Sequence, residues 1–489
     1  MSQFDAIVVG AGPNGLGAAI YLAEQGAKVL VLEASETPGG GMRTKELTLP
    51  GYHHDVCSAA HPLGAVSPFF RTLPLEEHGL QWLHPPASVA HPLDDGPAII
   101  QSRSLEETAD SIGKDGQAWR RMFAPFLKDP QAFIADALGP LRIPKHPFKL
   151  ALFGMQAMWP ATWYTKLRFR THRGRALFAG HAAHSIIPLS YPFSTAVGML
   201  LAMSGHIVDW PMPKGGSQRI TDALVGYFTS LGGELQTSTK ITHLGQLPDA
   251  RVVLFDTDPT QLIDIAKDQL PKGYTKRLQA YRYGPGTFKL DYALDGPIPW
   301  KDPACLNAST VHIGGTIEEI AASERAAWRG EHHTKPFVMV CQQSQFDPGR
   351  APEGKHTGYA YCHVPNGSEV DMTEAIESQI ERFAPGFKAR ILKRHKMNTK
   401  AFSLYNPNYV GGAITGGAAD MFQLFTRPVA RLDPYSTPHK RLFLCSHSTP
   451  PGGGVHGMCG YFAAKSALRR LEKETIQPFG STPTKGSST

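Results

Sequence analysis

At 489 residues the chain is long enough to bury substantial cores and to divide into about two or three domains. Its 42% apolar and 19% charged residues are ordinary for a globular protein and exclude a disordered or fibrous one. A formal charge of +7 is modest at this size: it permits attraction to anionic lipid or substrate, and without a basic motif it does not indicate a nucleic-acid binder.

The first element is a buried parallel strand at Asp5–Gly10. It leads into Gly10-Ala11-Gly12-Pro13-Asn14-Gly15, a helix from Leu16 to Gln25, and a second strand from Lys28 to Leu32 that ends on Glu33. This βαβ unit carries a dinucleotide fingerprint in its first turn. Gly10 allows the tight turn, Gly12 lets backbone approach a pyrophosphate, and Gly15 lets helix pack on strand. The helix N-terminus offers free N–H groups to phosphate, and Glu33 can accept from a ribose 2′-hydroxyl while repelling a 2′-phosphate.

A second glycine cluster, Thr37-Pro38-Gly39-Gly40-Gly41-Met42-Arg43-Thr44, follows directly. A simple NAD domain usually continues there with another helix and strand, whereas a flavoprotein needs flexible backbone to skirt a longer buried dinucleotide. The cofactor expected is therefore FAD. Arg43 is expected near the phosphates or the adenosine end, with a loop salt bridge as the alternative.

Further along, Phe148–Tyr164 is rich in Phe, Met and Trp and is flanked by Lys145, Lys149, Lys166, Arg168, Arg170, Arg173 and Arg175. The favoured reading is a buried helix with a solvated basic loop, since Pro160 breaks any long amphipathic helix. The alternative is an apolar entrance resting on a membrane. His181 and His184 share a helix face, but no carboxylate lies nearby in sequence. A packed or flavin-facing histidine is expected there, not a metal site.

Pro213-Lys214-Gly215-Gly216-Ser217 opens a helix over Ile220–Leu231, a short strand follows at Glu234–Thr237, and Arg251–Asp256 is a third strand of the nucleotide sheet. Near the end, the strand Arg441–Ser446 runs into Pro450-Pro451-Gly452-Gly453-Gly454-Val455-His456-Gly457-Met458 and a helix from Cys459 to Leu471. A strand, a glycine-rich loop and a helix again present an N-terminus to negative charge.

The six cysteines contain no C-x-x-C pair, so redox-dithiol and metal spacings are absent and free thiols are expected. The first strand leaves no room for a signal peptide, and no apolar run reaches the ~18 residues of a membrane span. The expected location is the cytoplasm, with peripheral membrane contact as the one reservation.

Four motifs together look like the phytoene-desaturase-like flavoproteins: Gly10–Leu16, Pro38–Thr44, Asp55–Pro62 and Pro450–Gly457. That family is related to the amine oxidases and includes carotenoid desaturases, retinol saturases and pyridine-nucleotide-disulphide-oxidoreductase-domain proteins. The resemblance spans Asp5 to about Leu471. It implies an α/β fold in which a Rossmann-like FAD-binding domain, a doubly wound parallel sheet, carries an inserted α+β substrate domain. The FAD-binding domain would comprise 1–68, 210–282 and 438–473, and the substrate domain 69–209 and 283–437, leaving 474–489 as a disordered tail.

FAD would be held by Gly10, Gly12, Pro13, Asn14, Gly15, Glu33, Ala34, Gly40, Gly41, Met42, Arg43, Ser58, Gly453, Gly454, Val455 and His456. His61 and His456 are the candidates for acid–base work, although backbone orientation fits them equally. The implied chemistry is removal or addition of hydrogen at carbon–carbon bonds of a hydrophobic, polyene or isoprenoid substrate by hydride transfer at flavin N5. This needs no strong protein base. Oxidation of a C–N bond and a non-catalytic flavin scaffold are the alternatives. The partners implied are a small hydrophobic substrate and no nucleic acid.

Overall fold

The computed structural model describes residues 3–473; the tail expected at 474–489 lies outside them. A five-stranded sheet, parallel throughout, runs in the order Leu442–Leu444, Ala250–Phe255, Phe4–Val9, Val29–Leu32, Glu234–Gln236. Its three central strands are covered on both faces, which is why they read as nearly continuous apolar runs.

The register has a direct consequence. Val9 lies level with both Leu32 and Phe255. Gly10, Glu33 and Asp256, each one residue further on, therefore emerge side by side at the carboxyl edge. A ligand of an open parallel sheet sits at that edge. The helix Pro13–Glu24 starts there, and Met458–Lys473 packs beside it.

A seven-stranded sheet forms the second layer, in the order Ile391–Met397, Gly286–Leu294, His356–Val364, Val338–Cys341, Ala308–Ile313, Ala87–His91, Ile99–Gln101. All its neighbours are antiparallel except Ala308–Ile313 with Ala87–His91. The helices His172–Ala183 and Ser194–Val208 pack together, and the first also contacts the strand Ala87–His91. The second helix carries no Asp, Glu, Lys or Arg, in keeping with its buried position.

Phe148–Tyr164 corrects the favoured sequence reading. It forms two helices, Pro147–Ala157 and Ala161–Arg168, with Pro160 between them, but the first buries little of its surface. Phe148 is 89% exposed and Trp163 67%; Leu141, Ile143, Met155, Met158, Trp159 and Leu167 are exposed as well. Apolar composition signalled burial, yet of the large apolar side chains in the first helix it is Phe153 that packs on the core, against Phe126 and Phe133. Among the described residues no helix is long and apolar enough to cross a membrane.

Candidate functional site

The site grows from the first turn. Gly10 has φ +104°, and a Cβ at Gly15 would collide with the Gly10 carbonyl, so only glycine lets the helix begin this close to the strand. A Cβ at Gly12 would stand 2.6 Å from Asp256 Oδ2. Pro13 fills the first helical position, where its missing N–H costs nothing, and Gly12 supplies no side-chain cap. The helix start is answered by Asp256, whose Oδ2 accepts from Gly15 N at 2.9 Å. Burial pushes the Asp256 carboxyl well above the ordinary range. The Gly15 and Gly12 N–H groups pull it down and Glu33 adds to the rise.

Glu33 occupies the neighbouring strand end and is almost fully buried. Its Oε2 accepts from Ala11 N at 2.8 Å and its Oε1 from Ser35 N at 2.9 Å. Arg43 pairs with it at 3.3 Å, donates to the Thr37 and Gly40 carbonyls, and lies under the Tyr405 ring. The alternative reading of Arg43, a salt bridge that staples the glycine loop, describes these contacts. Both side chains still line the cavity that opens here.

That cavity encloses about 350 Å³ and joins the two layers. Gly10, Gly12, Pro13, Asn14, Glu33 and Ala34 line one end, and Gly40, Gly41, Arg43, Ser58, His61, Gly454 and Val455 line its middle. The far wall comes from the second layer: Leu201, Trp210, Met339, Tyr359 and Tyr361, with His184 among them. No residue of 148–164 lines it, so that segment does not form its mouth.

Four residues named from the sequence lie elsewhere. The Met42 side chain is wholly buried in the core. Gly15 sits behind the turn, against Gly10, and Gly453 packs on Thr415. The His456 ring is buried within its own loop, where Nδ1 accepts from Met458 N at 3.0 Å and so steadies the start of the last helix. His456 does not line the cavity, and of its two expected roles the backbone contact is the one observed.

His61 does line the cavity. Ser217 Oγ donates to the Ser58 carbonyl at 2.6 Å, so at 2.8 Å His61 Nε2 must donate to Ser217 Oγ. Its Nδ1 is left bare and unpartnered. Burial lowers the His61 pKa to about 4, which keeps the ring neutral at pH 7. It is an orienting group for the Ser58 segment with one free acceptor.

Sequence reading missed the opposite wall: Asp256, Thr257, Tyr405, Asn408, Tyr409 and His447 all line the cavity. Only Asp256 and Thr257, at a recognised strand end, carried a signal. Asn408 ties this wall together, donating to the Asp256 carbonyl and accepting from Asp258 N.

A dinucleotide fits these residues. Asn14 Oδ1, Thr257 Oγ1, His61 Nδ1 and His447 Nε2, all on cavity-lining residues, are buried polar atoms with no partner. Such atoms are costly unless a ligand meets them.

The NAD(P)-binding Rossmann-like domain family matches residues 8–73, which hold the glycine turn, its helix and the strand that ends on Glu33. A rat protein named pyridine nucleotide-disulfide oxidoreductase domain-containing protein 2 is 26% identical over 96% of this chain and 94% of its own length. A phytoene desaturase (lycopene-forming) from a Paracoccus species is 22% identical over 93% and 95%. The chain is a homologue of these oxidoreductases. The fold extends further: a solved putrescine oxidase superposes with a TM-score of 0.60, covering 96% of this chain and 99% of that one at 15% identity. The Rossmann-like α/β fold expected from the sequence is the one observed.

Proposed function

We propose that the protein is an FAD-dependent oxidoreductase that removes or adds hydrogen at a carbon–carbon bond of a hydrophobic substrate. The observation that carries this reading is the continuity of the cavity from the dinucleotide turn to the Leu201, Trp210 and Met339 wall. The relatives named for phytoene desaturation support it.

Glu33 would hold the ribose and the helix start at Gly12–Gly15 the pyrophosphate. Gly40, Gly41, Ser58, Gly454 and Val455 would flank the ring system. Bound FAD would supply hydride acceptance or donation at its N5. The protein's own part is to lay the reacting carbon against that position and to exclude water with the aromatic wall. His61, neutral and turned to Ser217, is not arranged as a strong base.

The purified protein is expected to carry non-covalent FAD, with bands at about 370 and 450 nm. Anaerobic bleaching of those bands by polyenes or retinoids, and not by amines, is the expected outcome. A folded protein that neither carries nor takes up FAD overturns the reading. Bleaching by amines alone would favour C–N oxidation, the reading suggested by the putrescine oxidase fold and by the paired rings of Tyr359 and Tyr361, 5.8 Å apart.

A peripheral contact with anionic phospholipid belongs to the same proposal. The exposed Phe148, Met155, Trp159 and Trp163 stand among Lys145, Lys149, Lys166 and Arg168, the mixture that seats a short amphipathic element in an interface. Co-sedimentation with phosphatidylserine-containing vesicles is expected to fall about ten-fold or more in Phe148→Glu/Trp163→Glu. Unchanged sedimentation would remove the membrane from the proposal.

A further inference from the structure

At the far wall lies a cluster of four imidazoles, three of them fully buried. His181 and His184 come from the end of the helix His172–Ala183, His312 from the strand Ala308–Ile313, and His91 from the strand beside it. His184 Nε2 and His312 Nε2 are 3.0 Å apart, so one donates to the other. Which one donates follows from the remaining nitrogens.

His312 Nδ1 is buried without a partner and is pressed against Gly180, where a Cβ would stand 2.6 Å from it. A proton there would be an unsatisfied buried donor, which is costlier than a bare lone pair. The neighbours keep the same rule. His181 donates to the Leu177 carbonyl and His91 to the Gly315 carbonyl, both at 2.8 Å, and each leaves its second nitrogen bare. His312 therefore carries its proton on Nε2 and donates to His184 Nε2. His184 must then hold its own proton on Nδ1.

Of the four, His184 lines the cavity and is only partly buried; its Nδ1 has no partner among the described residues. Around it the wall is apolar or aromatic, with Leu201, Met339 and Trp210, whose ring meets the imidazole edge-on at 5.3 Å. Burial, and then the neighbouring imidazoles, lower the His184 pKa to about 3, so the donor is neutral. A neutral N–H in apolar surroundings suits a carbonyl or hydroxyl oxygen and gives no pairing for a carboxylate.

We infer that the far end of the cavity binds one oxygen atom of an otherwise apolar substrate, held by a hydrogen bond from His184 Nδ1, whose proton is fixed there by His312. This rests on the proposed function, because it places a substrate in that cavity. The substrate class becomes an oxygen-bearing apolar molecule, an enone, enal or allylic alcohol, in preference to a plain hydrocarbon. His184 and His312 are positioning residues.

The test uses the full-length, FAD-loaded protein and three probes: geranial, geraniol and myrcene, which carry an aldehyde, an alcohol and no oxygen on similar branched skeletons. Binding is read both from the flavin spectrum and from tryptophan fluorescence, so a probe is visible with or without cofactor. The parent is expected to bind geranial and geraniol about ten-fold more tightly than myrcene. His184→Leu should erase that preference, and His184→Asn, whose amide still donates, should retain most of it. His312→Leu, which lets the His184 proton move to Nε2, should weaken the preference. Equal binding of myrcene and geraniol by the parent, or a preference that survives in His184→Leu, overturns the inference alone. Binding of none of the three overturns the hydrophobic-substrate reading together with it.

Discussion

Replacing Lys289 with Met is expected to destabilise the fold by about 3–5 kcal/mol, the cost of leaving one partner of a buried ion pair behind. Lys289 and Asp291 lie two residues apart on one face of the strand Gly286–Leu294, which is paired on both sides, and neither side chain is exposed. The ammonium sits 2.5 Å from the carboxylate and 4.3 Å from the centre of the Tyr359 ring, which lines the cavity. Asp291 also faces His54 and His395. Burial alone would raise its carboxyl; Lys289, then His395 and His54, outweigh that and hold it below the usual carboxylate range. A depressed folded pKa contributes stability that is present above the unfolded pKa, near pH 4, and lost as pH falls through the folded value. Acid unfolding of Lys289→Met should therefore begin at higher pH than in the parent. The double variant Lys289→Met/Asp291→Leu, which removes both charges, should recover most of the loss in thermal or urea denaturation. A single variant as stable as the parent would show that the pair is solvated or dispensable.

The second large effect is expected at the dinucleotide edge. Glu33→Ala should weaken the proposed FAD by roughly 1.5–3 kcal/mol, about ten- to a hundred-fold. The structure gives this residue two tasks. Besides facing the ribose position it receives Ala11 N, Ser35 N and the Arg43 guanidinium, so the truncation also frees Arg43 inside the glycine loop. Glu33→Gln keeps an acceptor oxygen and should lose less. Retention through extended dialysis, followed by fluorescence of released flavin, measures both. If Glu33→Ala holds FAD as well as the parent does, Glu33 is a structural carboxylate and the ribose is bound elsewhere.

What could be read from the sequence was what neighbours in the chain build together. The first βαβ unit and the last strand-loop-helix were legible because each packs its turn within some thirty residues, and their glycines answer to local geometry. Asp256 was visible as a strand end, but its place against Gly12 and Gly15 depends on parallel pairing across 241 residues, which no local pattern encodes. The same holds for Tyr359, Tyr405 and Tyr409, brought to the cavity by other strands and loops. His456 misled for the opposite reason. It lies inside a cofactor-side loop, yet its ring turns inward to hold that loop. Phe148–Tyr164 misled because composition reports apolar character and says nothing of how much neighbouring surface remains to cover it.

The carboxyl edge of the parallel sheet is assembled from both ends of the chain. The final helix rests so closely on the first that a Cβ at Gly460 would strike the Asn14 carbonyl, and Gly454 and Val455 close the cavity. The first helix meets the helix Gln218–Ser230 and the sheet on one side, but its Asn14, Gly17 and Tyr21 face must wait for the helix Met458–Lys473 to be made. Until then that face lacks its final partner and would be a natural site for a chaperone. A nascent chain halted before Gly457 could not complete the nucleotide pocket, whatever the state of the second layer. Capture of the proposed cofactor should accordingly follow the synthesis of Gly452–Gly457 and of the helix behind it, however early the first turn has formed.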